Sequence, residues 1–360
     1  MSGHQEANSS RGVNMKFFQQ VALCASLSLI AMTSMAQAGI KVAFVTAEGG
    51  LGDHSFNDMI AEGLKKAKAD LGIEYEVIQP RAVSDFKSSL VRAAAAKNFD
   101  LVLGASFDMI QPMKEAAAAF PDQKFGIVDV GSDSIAPNVV GAVAKDWEGS
   151  FIVGVAAAMT SKTGTIGFVG GKDIPVIHRF FNGYYYGAKS VKPDVKVLER
   201  YSGSFTDPAA GKEYTLALVS AGSDINFAVA NLTGAGVIDA AKQTHTFAIG
   251  VDSNQNYMAP GTVLTSMMKR VDVLGYDIVK SVVDGTFKGG VNKQYGLKEG
   301  GVQAAMDQYN KGLISDATLA KMDELKAKVI SGEIVVPNYI ELDPAAKQMG
   351  TPPIDRPSAN

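Results

Sequence analysis

Beyond residue 38 the chain alternates short apolar runs with stretches of helical periodicity. Lys41–Thr46 (KVAFVT) reads as a buried strand. From Ser55 to Leu71 the apolar residues Ile60, Leu64, Ala67 and Leu71 recur on one helical face. Strand Glu74–Ile78 follows, then a helix from an N-cap at Ser84 through Lys97, strand Asp100–Gly104, helix Asp108–Phe120 and strand Lys124–Asp129. The pattern restarts with helix Asp146–Thr160 and strand Thr165–Val169. It continues with helix Val176–Val191, strand Val195–Tyr201, helix Pro208–Ala221, strand Ile225–Ala230, helix Thr233–Gln243 and strand Thr246–Gly250. Val263–Met267 and helix Val271–Val283 lie beyond, and Ser331–Asn338 closes the ordered chain.

Alternating strands and helices imply parallel sheets covered on both faces. Two such runs predict an α/β protein of two doubly wound lobes with a central cleft. The expected division is residues 39–145 plus about 268–290 for one lobe, and 146–267 plus about 291–340 for the other. An irregular tail takes 341–360, and the chain crosses near Lys145, Met268 and Gly290.

The N-terminus changes the picture. Lys16 precedes the apolar run Val21–Met32, and Ala36-Gln37-Ala38 is an A-x-A site. This is the layout of a secretory signal peptide cleaved after Ala38, with an apolar core too short to span a bilayer. Residues 1–14 are a polar extension. The single cysteine, Cys24, lies inside this segment behind a bulky Leu23, so a soluble periplasmic protein is expected rather than a lipidated one. A formal charge of −3 over 360 residues gives no electrostatic case for nucleic-acid binding. His178 and His245 have no spaced partners for a metal, and no G-x-S-x-G nucleophile elbow occurs. The Gly49–Gly52 cluster lacks the lysine and hydroxyl residue of a phosphate loop. No cofactor is expected. An exported two-lobed protein of this kind closes on a small ligand; a two-domain enzyme is the alternative.

Ligands of open α/β sheets sit beyond the carboxyl ends of the strands. Those ends carry Glu48 through Asp58, Ala105 through Asp108, and Asp129 in the first half. In the second they carry Gly170-Gly171, Ser202 through Asp207, Asn231 through Gly234, and Asp252 through Gln255. Small residues, single aromatics and a carboxylate or amide recur, which suits a flat polar molecule. Each Asp or Asn can equally be a turn or cap residue, and Phe56 or Phe205 alone can equally be core.

Several segments, in order, resemble one family. They are Gly52-Asp53-His54-Ser55-Phe56-Asn57, Phe168-Val169-Gly170-Gly171, Phe181-Asn182-Gly183, Tyr201 through Asp207, Thr233-Gly234-Ala235-Gly236-Val237, Ala248 through Asp252, Thr265 through Lys269, and Ser331 through Pro337. Together they resemble the basic membrane protein family of substrate-binding proteins, which includes purine nucleoside receptors of ABC importers. The resemblance implies a type I periplasmic binding protein-like fold, a monomer, a nucleoside ligand and a membrane ABC permease as partner. It implies that Phe56 and Phe205 hold the base, that Asn57 and Asp129 meet its edge, and that Asp252 and Lys269 grip the ribose. Asp53 and Gly234 complete the expected ligand-binding set. Asn254 stands where many relatives have a second Asp, and the family's frequent lipidated cysteine is missing at the expected mature N-terminus. A nucleoside-acting enzyme, or a receptor of this fold for another small polar ligand, remains the alternative.

Overall fold

The computed structural model describes residues 39–130 and 136–342, and the described residues from Ile40 to Leu342 belong to one compact unit. The proposed cleavage site and the polar extension lie outside the described residues, as does the tail beyond 342. Among the described residues no helix is long and apolar enough to cross a membrane.

The first sheet contains β1 (Lys41–Val45), β2 (Glu74–Ile78), β3 (Leu101–Ala105), β4 (Lys124–Val128), β5 (Val139–Ala144) and β11 (Val291–Tyr295). Their order is β11-β5-β4-β3-β1-β2, and all pairs are parallel. The second contains β6 (Thr165–Gly170), β7 (Lys196–Tyr201), β8 (Ile225–Val229), β9 (Phe247–Asp252), β10 (Val263–Lys269) and β12 (Val302–Ala304). Its order, β12-β10-β9-β8-β6-β7, repeats that of the first, except that β12 runs antiparallel to β10. In both, the first strand of the lobe lies between the second and the third. Connections therefore leave to opposite sides at β1/β3 and at β6/β8, opening a crevice at the carboxyl ends.

Alternation along β1 divides the first core. Val42 and Phe44 belong to the cluster shared with α1 (Phe56–Leu71) and α8 (Val271–Val283). Ala43 and Val45 pack with Phe86 and Leu90 of α2 (Phe86–Ala95) and with Met113 of α3 (Ile110–Ala119). Each fully buried large apolar side chain contributes roughly 1.5–3 kcal/mol. In the second lobe α4 (Asp146–Thr160) and α5 (Pro175–Val191) meet at very close range. A Cβ at Gly183 would lie 2.2 Å from the Trp147 carbonyl oxygen, and one at Gly187 1.9 Å from that of Phe151. Glycine is what lets these two backbones touch. The remaining helices of this lobe are α6 (Pro208–Ser220), α7 (Thr233–Thr244), α9 (Asp316–Ser331) and the short α10 (Tyr339–Leu342).

Several sequence expectations need correction. The sequence pattern gives no element at β5, although its run VVGAVA is buried throughout. β11 (VNKQY) is too polar to read as a strand, and it belongs to the first sheet through its pairing with β5. The third passage between sheets therefore follows Tyr295 rather than falling near Gly290. The second passage falls at Arg270, since β10 runs on through Lys269. Ser84 does not cap α2: Val83–Asp85 is a single tight turn and the helix starts after Asp85. α9 was not anticipated, and α10 enters the stretch expected to be irregular.

Candidate functional site

A cavity partly open to solvent lies at both crevices. The first sheet contributes Phe56 and Glu48 after β1, Ser106 and Asp108 after β3, and Asp129 after β4. The second contributes Phe180 from α5, Phe205 after β7, Asn231 after β8, and Asp252 and Lys269 at the ends of β9 and β10.

The backbone is bent to build this wall. Ser106, Asp129, Asn231 and Asp252 all take left-handed conformations, with φ of 88°, 69°, 46° and 61°. Asp and Asn tolerate this region better than other residues with a Cβ, whereas Ser106 is disfavoured there. Four such residues around one cavity mark a place where strand ends are turned to aim side chains inward.

The charges form a buried network. The Lys269 ammonium, 2 % exposed, lies 2.5 Å from Asp129 Oδ2 and 3.4 Å from Asp146 Oδ2. It also sits 4.9 Å from the Phe180 ring centre and 5.7 Å from that of Phe56. Arg179 donates to Asp146 Oδ2 at 2.6 Å and approaches Asp129 Oδ1 at 3.5 Å. Asp252 stands apart from these ion pairs and accepts a 2.6 Å hydrogen bond from the Ser55 hydroxyl of the facing lobe. Burial pushes its carboxyl up to about 6; Lys269 and Ser55 pull the other way, while Asp129 and Asp53 add to the rise. Burial likewise raises the Asp146 carboxyl, against the attraction of Arg179 and Lys269. Three carboxylates face two cations, so the site favours ligands that donate hydrogen bonds and disfavours anions.

Of the residues expected from the sequence, Phe56, Asp129, Phe205, Asp252 and Lys269 share the cavity wall. Asp53, Asn57 and Gly234 are not in it. Asp53 Oδ1 accepts from the Ser55 and Asp58 amides, and its Oδ2 accepts from the Asn57 amide. Asn57 Oδ1 accepts from the Ala47 amide, and its side-chain amide donates to Glu48 O and Asp53 Oδ2. Both residues fold the β1–α1 loop from behind Phe56. Gly234 is buried in the first turn of α7. The pairing of Lys269 also differs from expectation: its ammonium meets Asp129, not Asp252. Asp146, Arg179 and Lys172 were missed. Asp146 opens α4 two residues after β5, a strand the sequence pattern does not give, and Arg179 lies within α5, so a search of strand ends passes over both. Lys172 directly follows the Gly170-Gly171 pair that was read.

Gly171 has a local reason. A Cβ there would lie 2.2 Å from the Phe205 ring, so the ring rests on bare backbone. Lys172 Nζ lies 5.2 Å from the same ring centre and bridges to Glu48 at 2.5 Å and Asp108 at 3.5 Å, tying the second lobe to the first.

Comparison with known proteins agrees with this geometry. The sequence profile described as "Bmp: ABC transporter substrate-binding protein PnrA-like" matches residues 40–339. An uncharacterized lipoprotein of Pyrococcus abyssi is 39% identical over 277 residues, covering 73% of this chain and 68% of the relative. The ABC transporter nucleoside-binding protein BmpA of Lactococcus lactis is 34% identical over 337 residues, 88% of this chain and 94% of that protein. An ABC transporter solute-binding protein from Aeropyrum pernix superposes with a TM-score of 0.77 at 31% identity, covering 86% of this chain and 98% of the other. A two-lobed α/β frame, a cavity at the facing strand ends and these matches together make the chain a member of the PnrA-like family of ABC transporter substrate-binding proteins, which are binding proteins and not enzymes.

Proposed function

We propose that the cavity binds a purine nucleoside outside the cytoplasmic membrane and that the closed protein delivers it, as a monomer, to an ABC permease. One observation carries the reading: a phenylalanine from each lobe, Phe56 and Phe205, lines the same cavity as the carboxylates Asp129 and Asp252. Two aromatic faces suit a planar base. Asp129 Oδ1 is buried without a hydrogen-bond partner and suits a ring N–H donor at the base edge. A carboxylate such as Asp252 can accept from both ribose hydroxyls. Lys269, paired with Asp129, orients that acid. The name of the Lactococcus relative supports a nucleoside. Asp53, Asn57 and Gly234 act in this reading by shaping the loops that carry the contacts. Export follows the signal-like segment ending at Ala38, and a lipid on Cys24 is the competing form of anchoring, since the Pyrococcus relative is named a lipoprotein.

The direct test is mass spectrometry of small molecules released from the purified protein, with calorimetry against a panel of nucleosides, free bases and pentoses. The proposal expects a purine nucleoside to bind far more tightly than its base or its sugar. Equal affinity for nucleoside and free base would remove the ribose from the reading. Turnover of any nucleoside in the same samples would count against a receptor.

A further inference from the structure

Asp146 and Arg179 stand behind the ligand cavity rather than in its wall, yet they are joined to it. Asp146 is fully buried at the first position of α4, directly after the chain passes from the first sheet to the second. Lys269 is the last residue of β10, directly before the chain passes back. A single oxygen, Asp146 Oδ2, takes the Arg179 guanidinium at 2.6 Å and faces the Lys269 ammonium at 3.4 Å. Arg179 is itself held, its guanidinium carbon 5.6 Å from the Trp147 ring centre. Asp129 Oδ2 meets Lys269, while its buried Oδ1 has no hydrogen-bond partner and lies 3.5 Å from the Arg179 guanidinium.

We infer that Asp146 and Arg179 are positioning residues of the ligand site: Arg179 fixes Asp146 as a second counterion to Lys269, which leaves the Asp129 carboxylate available to the ligand. The physical need is plain. An ammonium buried this deeply must keep a compensating charge. With Asp129 as its sole partner, Lys269 would hold that carboxylate in place, and a ligand donor could win it only by stranding the lysine. With Asp146 behind it, Lys269 stays compensated while Asp129 shares its charge with an incoming N–H. The contacts of Asp129 with Lys269 and Arg179 span the lobes, since Asp129 follows a strand of the first sheet while Lys269 and Arg179 belong to the second lobe. Engagement of Asp129 is thereby tied to lobe closure at the two passages.

This inference rests on the proposed contact between Asp129 and a ring N–H, so its test has one arm with ligand and one without. In the ligand-free protein, melting temperatures are measured for Asp129→Asn, Asp146→Asn, the double variant, and the double variant with Lys269→Met. The double variant is expected to lose more than the sum of the singles, because Lys269 is then stranded, and Lys269→Met is expected to restore part of the loss. Additive losses, or no recovery on removing the lysine, would overturn the counterion role. In the second arm, affinities are measured for inosine, 1-methylinosine and 2′-deoxyinosine. Asp146→Asn and Arg179→Met are expected to reduce the preference for inosine over 1-methylinosine several-fold while keeping the preference over 2′-deoxyinosine, and Arg179→Lys is expected to retain most of both. Parallel loss of both preferences would reduce the pair to general scaffolding and overturn the positioning role. A wild-type protein indifferent to 1-methylation would refute the Asp129 contact itself, with the melting arm still deciding for or against the counterion.

Discussion

Asp252 gives the sharpest expectation at the scale of single residues, because burial raises its carboxyl to about 6 and leaves it outside the ion pairs. Two effects of opposite sign follow. An acid whose pKa is higher folded than unfolded binds more protons in the native state between about pH 4 and pH 6. Its ionisation therefore lowers stability as pH rises through that window, and Asp252→Asn is expected to flatten this part of the stability profile. Ligand hydroxyls prefer the ionised form as acceptor, so affinity is expected to be full above about pH 6 and to fall below it. Calorimetry from pH 5 to pH 8 on wild type and Asp252→Asn checks this; an unchanged pH profile in the variant would assign the titration to another group facing it, such as Asp53, whose carboxyl burial also raises. The phenylalanines are tested more simply. Phe56→Ala and Phe205→Ala are each expected to weaken nucleoside binding by about 1–3 kcal/mol, in line with losses of base stacking on aromatic side chains. Phe→Tyr should cost less, because the ring face survives. Normal binding with a sharply reduced melting temperature would make the rings core residues. Phe56 is the more exposed to that outcome, since it is almost fully buried whereas Phe205 is half-buried.

At the scale of elements, the α4–α5 contact shows how small residues set geometry near the site. Gly187→Ala would drive a methyl group into the Phe151 carbonyl oxygen, which is backbone and cannot rotate away. Overpacking of this kind costs about 1–3 kcal/mol. Because α5 also carries Phe180 and Arg179, the variant is expected both to melt earlier and to bind more weakly, whereas Gly261→Ala, with open space around it, should disturb its turn but leave binding intact. Differential scanning calorimetry with paired titrations separates the two. Helices α5 and α8 could be read from the sequence because each pairs an apolar stripe with a clear break; α4 is buried on nearly every face, yet Asp146–Thr160 and Val271–Val283 both come out at their observed limits. β5 was lost because a strand buried on both faces has no period, and β11 because its sequence is polar. The site divides in the same way. Residues immediately after strands were found because the fold class dictates where to look. Asp53 and Asn57 met that criterion equally well and proved to be loop anchors, a distinction that only hydrogen-bond partners make. Asp146 follows β5 and is passed over together with that strand, while Arg179 carries no such signal because it lies within a helix.

At the scale of the whole molecule, three passages of chain join the lobes, so relative motion is confined to a hinge. Two sets of contacts close the far side of the cleft. In one, Ser253 Oγ and Gln255 Nε2 of the second lobe donate to the His54 carbonyl of the first, beside the Ser55–Asp252 hydrogen bond. The other is ionic, with Lys172 reaching from the second lobe to Glu48 and Asp108. Burial works against the Lys172 charge, but its two acidic partners outweigh it and raise its pKa. The three side chains keep between 23 and 30 % of their exposure, so salt can screen them. A partly exposed ion pair is worth on the order of 1 kcal/mol or less. Its expected effect is kinetic, because the contact exists only once the lobes have met. Association passes through the open form and should be unchanged by Lys172→Met. Release must break the clasp, so the variant should lose ligand up to about fivefold faster, the rate equivalent of about 1 kcal/mol. Raising the salt concentration should speed release from the wild type and have little effect on the variant, while the Glu48→Gln protein should fall between them because Asp108 still holds the lysine. Stopped-flow release at low and high salt distinguishes this clasp from a general loss of fit. A slower association rate in Lys172→Met, or an identical salt dependence in both proteins, would mean that the lysine steers the ligand or merely decorates the rim, and that the uncharged contacts at His54 alone hold the cleft shut.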